Sequence, residues 1–399
     1  MNSESRMLIE NARILHPGGV SERGAILVEG GQIVAVGAPT LDQAEGASRV
    51  DAGGRLLTPG LIDMHTHGIE DCRYDEAEEL IKGAAQLAKY GCTCLYPTLV
   101  ATAADSFRTS LQAVAEALPQ VEGVCVPSLH LEGPFVAFTG AGCVTTPGDL
   151  KLLEDLLAAA HGRVGIMSLS PEVDNILPII ERLGELGIVP FLTHTGADLE
   201  QTQRALDAGA RHATHFYDVF YPQPETDLGV RPVACVEAIL ADRRATVDFI
   251  CDGVHVEPTA IRMSLLCKGW ENVMLITDSN IGAGLPPGDY ETPWGFSVHV
   301  HPEKAARIIG DHKFAGALAG SALTMNLGMA NLHDWFGDEF TSEQLWALGT
   351  ANPARLMGLR NKGRLAVGAD ADLVLWNDEF VPAATWVGGR LVFEAEKSE

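Results

Sequence analysis

Leu61-Ile62-Asp63-Met64-His65-Thr66-His67-Gly68, introduced by Thr58-Pro59-Gly60, is an apolar run that ends in two histidines one residue apart. Alternate side chains of a β-strand share a face, so His65 and His67 point the same way from a strand end. Two imidazoles side by side make half a metal site, and they are equally two polar residues capping a strand. The segments downstream decide between these.

From residue 59 to about residue 360, apolar segments alternate with helical stretches such as 76–90, 103–117, 150–160 and 175–186. That alternation predicts a parallel sheet with helical crossovers. Eight strands are expected, at 61–67, 92–99, 124–131, 164–169, 189–194, 212–216, 246–252 and 273–278, and eight βα units close most simply into a (β/α)8 TIM-like barrel. Residues 1–58 and 361–399 have a different texture. Short β runs with glycine-rich turns, at 7–9, 25–29, 33–36, 55–57, 363–365, 371–376 and 386–392, predict one small β-sandwich domain assembled from both chain ends.

Barrels of this kind carry their chemistry at the C-terminal ends of the strands. Residues of ligand type fall there one after another: His65 and His67 on strand one, His130 and Glu132 on strand three, His194 on strand five, His215 on strand six, Asp252 and His255 after strand seven, and Asp278 on strand eight. Any one of them is an ordinary polar strand cap. Six strand ends so equipped on one rim argue for a metal site. Histidine nitrogen and carboxylate oxygen suit zinc, with iron, cobalt or manganese also acceptable, and need no cysteine. Such an ion lowers the pKa of a bound water and polarises a carbonyl oxygen. Asp278 then serves as general base toward that water and as acid toward a leaving amine, while His255 binds carbonyl or hydroxyl groups of a substrate.

Glycine-rich pieces are weaker signals. Gly282-Ala283-Gly284 lacks the strand and helix of a dinucleotide fingerprint and reads as a flexible loop after strand eight. Gly316 to Ser321 either borders a ligand, where small residues let backbone approach closely, or forms a turn before a helix at 323–332.

Bulk properties exclude several classes. A chain of 399 residues, 46% hydrophobic and 20% charged, buries a large core and fits one big domain plus a small one. Its net charge of -25 argues against nucleic acid, whose phosphates demand Lys and Arg. No apolar run reaches the ~20 residues that span a bilayer, and the opening residues lack a secretion-signal layout. The eight cysteines sit mostly in apolar segments, Cys92 and Cys94 reading as packed strand residues, which suits a reducing, cytoplasmic setting.

The motifs 59–68, His130-Leu131-Glu132-Gly133-Pro134-Phe135, Thr214-His215, Asp252-Gly253-Val254-His255, Thr277-Asp278, 319–325 and 363–374 together resemble the amidohydrolase superfamily, and within it the N-acetylglucosamine-6-phosphate deacetylases. The resemblance covers nearly the whole chain. It implies that Glu132, His194 and His215 hold a principal metal, that His65 and His67 permit a second, that Asp278 is the catalytic acid and base, and that His255, Asp218, Val219, Cys143 and Leu318 contact substrate. It also implies a homodimer. The reaction implied is conversion of N-acetylglucosamine-6-phosphate to glucosamine-6-phosphate and acetate.

Two departures bear on substrate. The deacetylases usually continue His-Leu-Phe-Asn-Ala-Met after the strand-six histidine, whereas this chain has His215-Phe216-Tyr217-Asp218-Val219-Phe220, and the first basic residue of the following loop is Arg231. The segment Thr139-Gly140-Ala141-Gly142-Cys143-Val144 lacks the lysine and histidine usual there. A carboxylate beside a phosphate repels it. The same centre acting on a non-phosphorylated N-acetyl sugar, or on another N-acyl or cyclic amide, is therefore the alternative, and a non-catalytic sugar- or metal-binding barrel is the alternative of another class.

Overall fold

A computed structural model describes residues 6–16, 19–37, 44–140, 142–292, 294–301 and 305–396. Eight strands, Leu61–Thr66, Cys92–Val100, Leu129–Glu132, Val164–Leu169, Val189–Leu192, His212–Ala213, Thr246–Ile250 and Val273–Ile276, pair side by side in chain order, each parallel to the next. They are numbered one to eight below. Strands one and eight are buried along their whole length, because a parallel strand is covered by the barrel interior on one face and by helices on the other. Hence their runs read as continuous apolar sequence instead of alternation.

The ladder does not pass directly from strand eight to strand one. Near the start of these strands Gly349 O accepts from Ile62 N (2.9 Å) and Leu348 O from Leu275 N (2.9 Å), so a segment after strand eight fills the seam. At the other end the buried Asp63 closes it. Its Oδ2 accepts from Thr277 Oγ1 at 2.6 Å, and its Oδ1 from the backbone N–H groups of Thr277 and His65, each at 3.3 Å.

A helix follows each strand: Ala77–Ala84, Asp105–Ala117, Leu150–Ala159, Ile176–Glu185, Leu199–Ala208, Cys235–Ala241, Pro258–Lys268 and, after an insertion, Met325–Phe336. The starts are written locally. Asp149 accepts from Lys151 N and Leu152 N, and Asp198 forms a reciprocal capping box with Gln201, each such cap contributing about 1 kcal/mol.

Several expected boundaries shift. Strand three begins at Leu129 and not at residue 124, with Cys125 making only an isolated bridge to Cys94. Strand six is two residues long, and the stretch 76–90 divides into a helix and a 3-10 turn at Leu87–Tyr90. The expected β run at 363–365 forms no strand. The larger difference follows strand eight, where a loop was expected. Gly288–Glu291, Ser297–Val300, Ala305–Ile309 and Leu318–Ser321 form an antiparallel four-stranded sheet around Val298, Val300, Ala306, Ile308, Ala319 and Ala322. Its strands are only four or five residues long, too short for their alternation to stand out in sequence.

The chain ends form a nine-stranded mixed sheet in which Leu56–Pro59 pairs antiparallel with Leu373–Trp376. Ile9, Ile26, Ile33, Leu57, Leu373 and Trp386 are among its core. Trp376 joins this sheet to the barrel core, with its Nε1 donating to Thr58 Oγ1 at 2.7 Å and its ring against Gly91, where a side chain would collide at 2.3 Å.

Candidate metal centre

Strands one, three, five, six and eight bring six side chains to one point at their C-terminal ends. Glu132 Oε1 lies 3.2 Å from both His194 Nε2 and His215 Nε2, and 3.7 Å from His65 Nε2. Glu132 Oε2 is 3.4 Å from His67 Nε2. Asp278 Oδ1 stands 3.3 Å from His67 Nε2 and 3.7 Å from His65 Nε2, and those two imidazole nitrogens are 3.3 Å apart. All six side chains are buried or nearly so. The backbone helps aim three of them: His194, His215 and Asp278 adopt left-handed φ angles of 47°, 36° and 47°. Non-glycine residues take that conformation at a cost, and it recurs where a side chain must be redirected at the end of a strand.

The far side of each ring fixes its tautomer. His67 Nδ1 donates to Thr98 O (3.2 Å), His194 Nδ1 to Phe138 O (2.9 Å) and His215 Nδ1 to Asp218 O (3.2 Å). His65 Nδ1 meets Thr214 Oγ1 at 2.8 Å, and the Thr214 hydroxyl donates its only proton to Asp248 Oδ2 at 3.0 Å, so it accepts from His65. Asp248 is held in turn by His212 Nε2 (2.7 Å) and by the backbone N–H of His215 (2.6 Å). Every Nδ1 thus carries a proton, and every Nε2 lone pair faces the carboxylates. Imidazoles whose outer nitrogen is occupied in this way are the usual ligands of a divalent cation.

Charge completes the picture. Burial opposes protonation of His67, but hydrogen bonds to Asp278 and Glu132 override it and raise its pKa to about 10. His215 is likewise raised to about 10, burial being outweighed by Glu132 and Asp218. Burial works against ionising Asp278, yet His65 and His67 hold it down at about 2, and His65, His194 and His215 keep Glu132 ionised. Positive charge is what these carboxylates demand, and a divalent ion bound there supplies it while releasing protons. The donor set therefore fits the group.

Among the described residues, three sets of ligand atoms lie within 4.8 Å of one another: His65 with His67 and Asp278, His65 with Glu132 and His215, and Glu132 with Cys143 and His194. Cys143 was expected only as a substrate contact, as the resemblance implies, and no cysteine was expected among the ligands. His255 sits at the mouth, with Asp252 accepting its Nδ1–H at 2.7 Å and the backbone N–H groups of Val254 and His255 at 2.9 Å, which leaves its Nε2 for another partner. Asp218 and Val219 belong to the turn after strand six, where Val219 O accepts from Thr195 N at 3.0 Å. Leu318 lies opposite Arg307 on the inserted sheet, three residues before Ser321, whose N–H donates to Asp278 O at 2.7 Å.

Sequence reasoning assigned no role to Asp63 or to the Thr214–Asp248–His212 relay. Asp63 carried a signal, since it shares the period-two face of His65 and His67. The relay joins residues from two strands and carried none. His130 was noted at the rim but is spoken for elsewhere, its Nδ1 donating to Met64 O at 2.9 Å, and burial holds its pKa well below the ordinary value.

Residues 56–392 match the amidohydrolase family. An N-acetylglucosamine-6-phosphate deacetylase from Lysinibacillus sphaericus is 30% identical over 96% of this chain and 97% of its own length. One from Vibrio furnissii is 32% identical, covering 97% of this chain and 95% of its own. The solved structure of a point mutant of the N-acetyl-D-glucosamine-6-phosphate deacetylase from Mycobacterium smegmatis, in complex with N-acetyl-D-glucosamine-6-phosphate, superposes with a TM-score of 0.84 at 30% identity, covering 97% of this chain and 99% of that one. A near-closed parallel barrel, a rim of histidines and carboxylates that fits a divalent metal, and this match over most of the sequence lead to one conclusion: the chain belongs to the amidohydrolase family.

Proposed function

We propose that this protein hydrolyses the acetamide of an N-acetylated amino sugar, converting N-acetylglucosamine-6-phosphate to glucosamine-6-phosphate and acetate. The observation that carries the reading is Asp278, a carboxylate held ionised within 3.3 to 3.7 Å of His67 and His65, beside a donor set that fits a metal. A binding protein has no use for such a proton acceptor. In this reading the barrel of 59–360 is the hydrolase, and the boundaries at 58/59 and 360/361 separate it from the β domain of the two ends.

Glu132, His194 and His215 would hold the ion, with His65 and His67 offering a second position. The metal supplies carbonyl polarisation and a lowered pKa for water. Asp278 takes a proton from the attacking water and delivers it to the departing nitrogen, so that amide plus water become amine plus acetate. His255, oriented by Asp252, donates Nε2–H to the acyl oxygen as negative charge develops there. Zinc is the ion this nitrogen and oxygen set suits, eight free cysteines accord with a reducing, cytoplasmic setting, and the homodimer of this reading rests on the family resemblance alone.

A second reading is favoured by Asp218. Its backbone O accepts from His215 Nδ1, and its charge is among the causes that raise the pKa of His215 and His255, so it lies near the site. Arg231, the first cation of that loop, is engaged by Glu237 at 3.0 Å. This arrangement favours a substrate without a phosphate. Acetate release from N-acetylglucosamine-6-phosphate and from N-acetylglucosamine, compared as kcat/KM, tests both. Preference for the phosphorylated sugar supports the first reading, preference for the free sugar supports the second, and release from neither defeats both.

A further inference from the structure

We propose that Cys143 is itself a metal ligand, capping the ion held by Glu132 and His194 in the resting protein and withdrawing when substrate enters. This deepens the reading of the site as a metal centre and rests on it. Cys143 is 7% exposed, and its sulfur lies within 4.8 Å of a Glu132 oxygen and a His194 nitrogen, Glu132 Oε1 and His194 Nε2 being 3.2 Å apart. A tetrahedral ion with bonds of about 2.1 Å to nitrogen and about 2.3 Å to sulfur separates such ligands by roughly 3.6 Å. Each separation therefore has to shorten by no more than about 1.2 Å for the sulfur to enter the coordination sphere.

The loop that carries it is seated on the same histidine. Phe138 O accepts from His194 Nδ1 (2.9 Å) and Phe138 N donates to His194 O (3.2 Å). At Gly140 the backbone comes so close to the imidazole that a Cβ would meet His194 Cε1 at 2.6 Å. Cys143 N then donates to Thr139 O at 2.7 Å, turning the residue back over the site. A thiol that coordinates a divalent ion is deprotonated by that ion.

In the capped state a metal–sulfur bond replaces a metal–water bond, and the thiol proton passes to solvent. Release is the reverse: a water or the acyl oxygen takes the position and the sulfur regains its proton. A catalytic site must keep one position open, so the thiolate makes the resting centre closed and the loop's departure opens it. A soft sulfur ligand also tilts selectivity toward zinc and away from manganese.

Cobalt(II) loaded into the metal-free protein tests this without reference to turnover. The wild-type protein is expected to show a near-ultraviolet sulfur-to-cobalt charge-transfer band that is absent from Cys143→Ser and Cys143→Ala and bleaches on saturation with substrate. In chelator competition Cys143→Ser should lose zinc affinity by about 10-fold or more, the scale on which even an outlying partner of a ligand is felt, with a smaller loss for manganese. A wild-type spectrum without the band, or a band that survives in both variants, overturns the proposal. The wild-type spectrum decides even if a variant misfolds, and a band in a protein that deacetylates nothing would defeat the proposed function while leaving this ligand in place.

Discussion

The two halves of the metal centre are held by different kinds of support. His65 and His67 come from one strand, and their outer nitrogens are tied to the barrel interior through Thr214, backed by Asp248 and His212, and through Thr98 O. His194 and His215 are oriented by loop carbonyls, those of Phe138 and Asp218, from the segments that follow strands three and six. The first half is therefore insulated from substrate, whereas the second is mechanically joined to whatever the loops contact. Glu132 touches the ring nitrogens of both.

That contrast orders the expected effects of substitution. Glu132→Gln removes the shared carboxylate and should empty both halves, read as loss of bound metal and of activity together; retention of full metal content would break the comparison. Asp278→Asn should lower turnover by ~10² or more, within the range ascribed to a positioned acid and base, with the Glu132–His194–His215 position still filled. Thr214→Val removes the hydroxyl behind His65 and leaves the Asp248 contact to His215 N in place, and should weaken the more loosely held of two metals by roughly 10- to 100-fold while sparing the other. Equal weakening of both would show that the halves are not separable. The smallest effect is expected at Asp218→Asn, which leaves the carbonyl that orients His215 in place and removes only a charge near the site. It should raise kcat/KM for the phosphorylated sugar relative to the free sugar by roughly 10-fold or less, as for a charge partly screened by solvent.

How much of this was legible in sequence follows the same division. His65, His67, Glu132, His194, His215 and Asp278 could be placed because each ends an apolar strand, and a closed barrel sends all strand ends to one rim. The burial of those strands on both faces made them continuous hydrophobic runs that stood out from their helices. The tautomers of the histidines were not legible. They depend on Thr98 O, Phe138 O and the Thr214–Asp248 pair, contacts across strands and loops that no local spacing records. The inserted sheet at 288–321 was missed for a related reason, its strands being too short to establish a period. Cys143 was visible as a residue but not as a neighbour of His194, because the turn through Thr139 and Gly140 that brings it back is set by tertiary contact.

The central claim is that this rim is a metal-dependent amide hydrolase centre. It is tested most directly by acetate release from N-acetylglucosamine-6-phosphate and N-acetylglucosamine before chelation, after chelation and after return of one divalent ion per site. The account predicts release from at least one of these sugars that falls to background when the metal is removed and recovers when zinc is returned. Release that persists undiminished in the metal-free protein, or none from either sugar in protein with its metal sites filled, would contradict it.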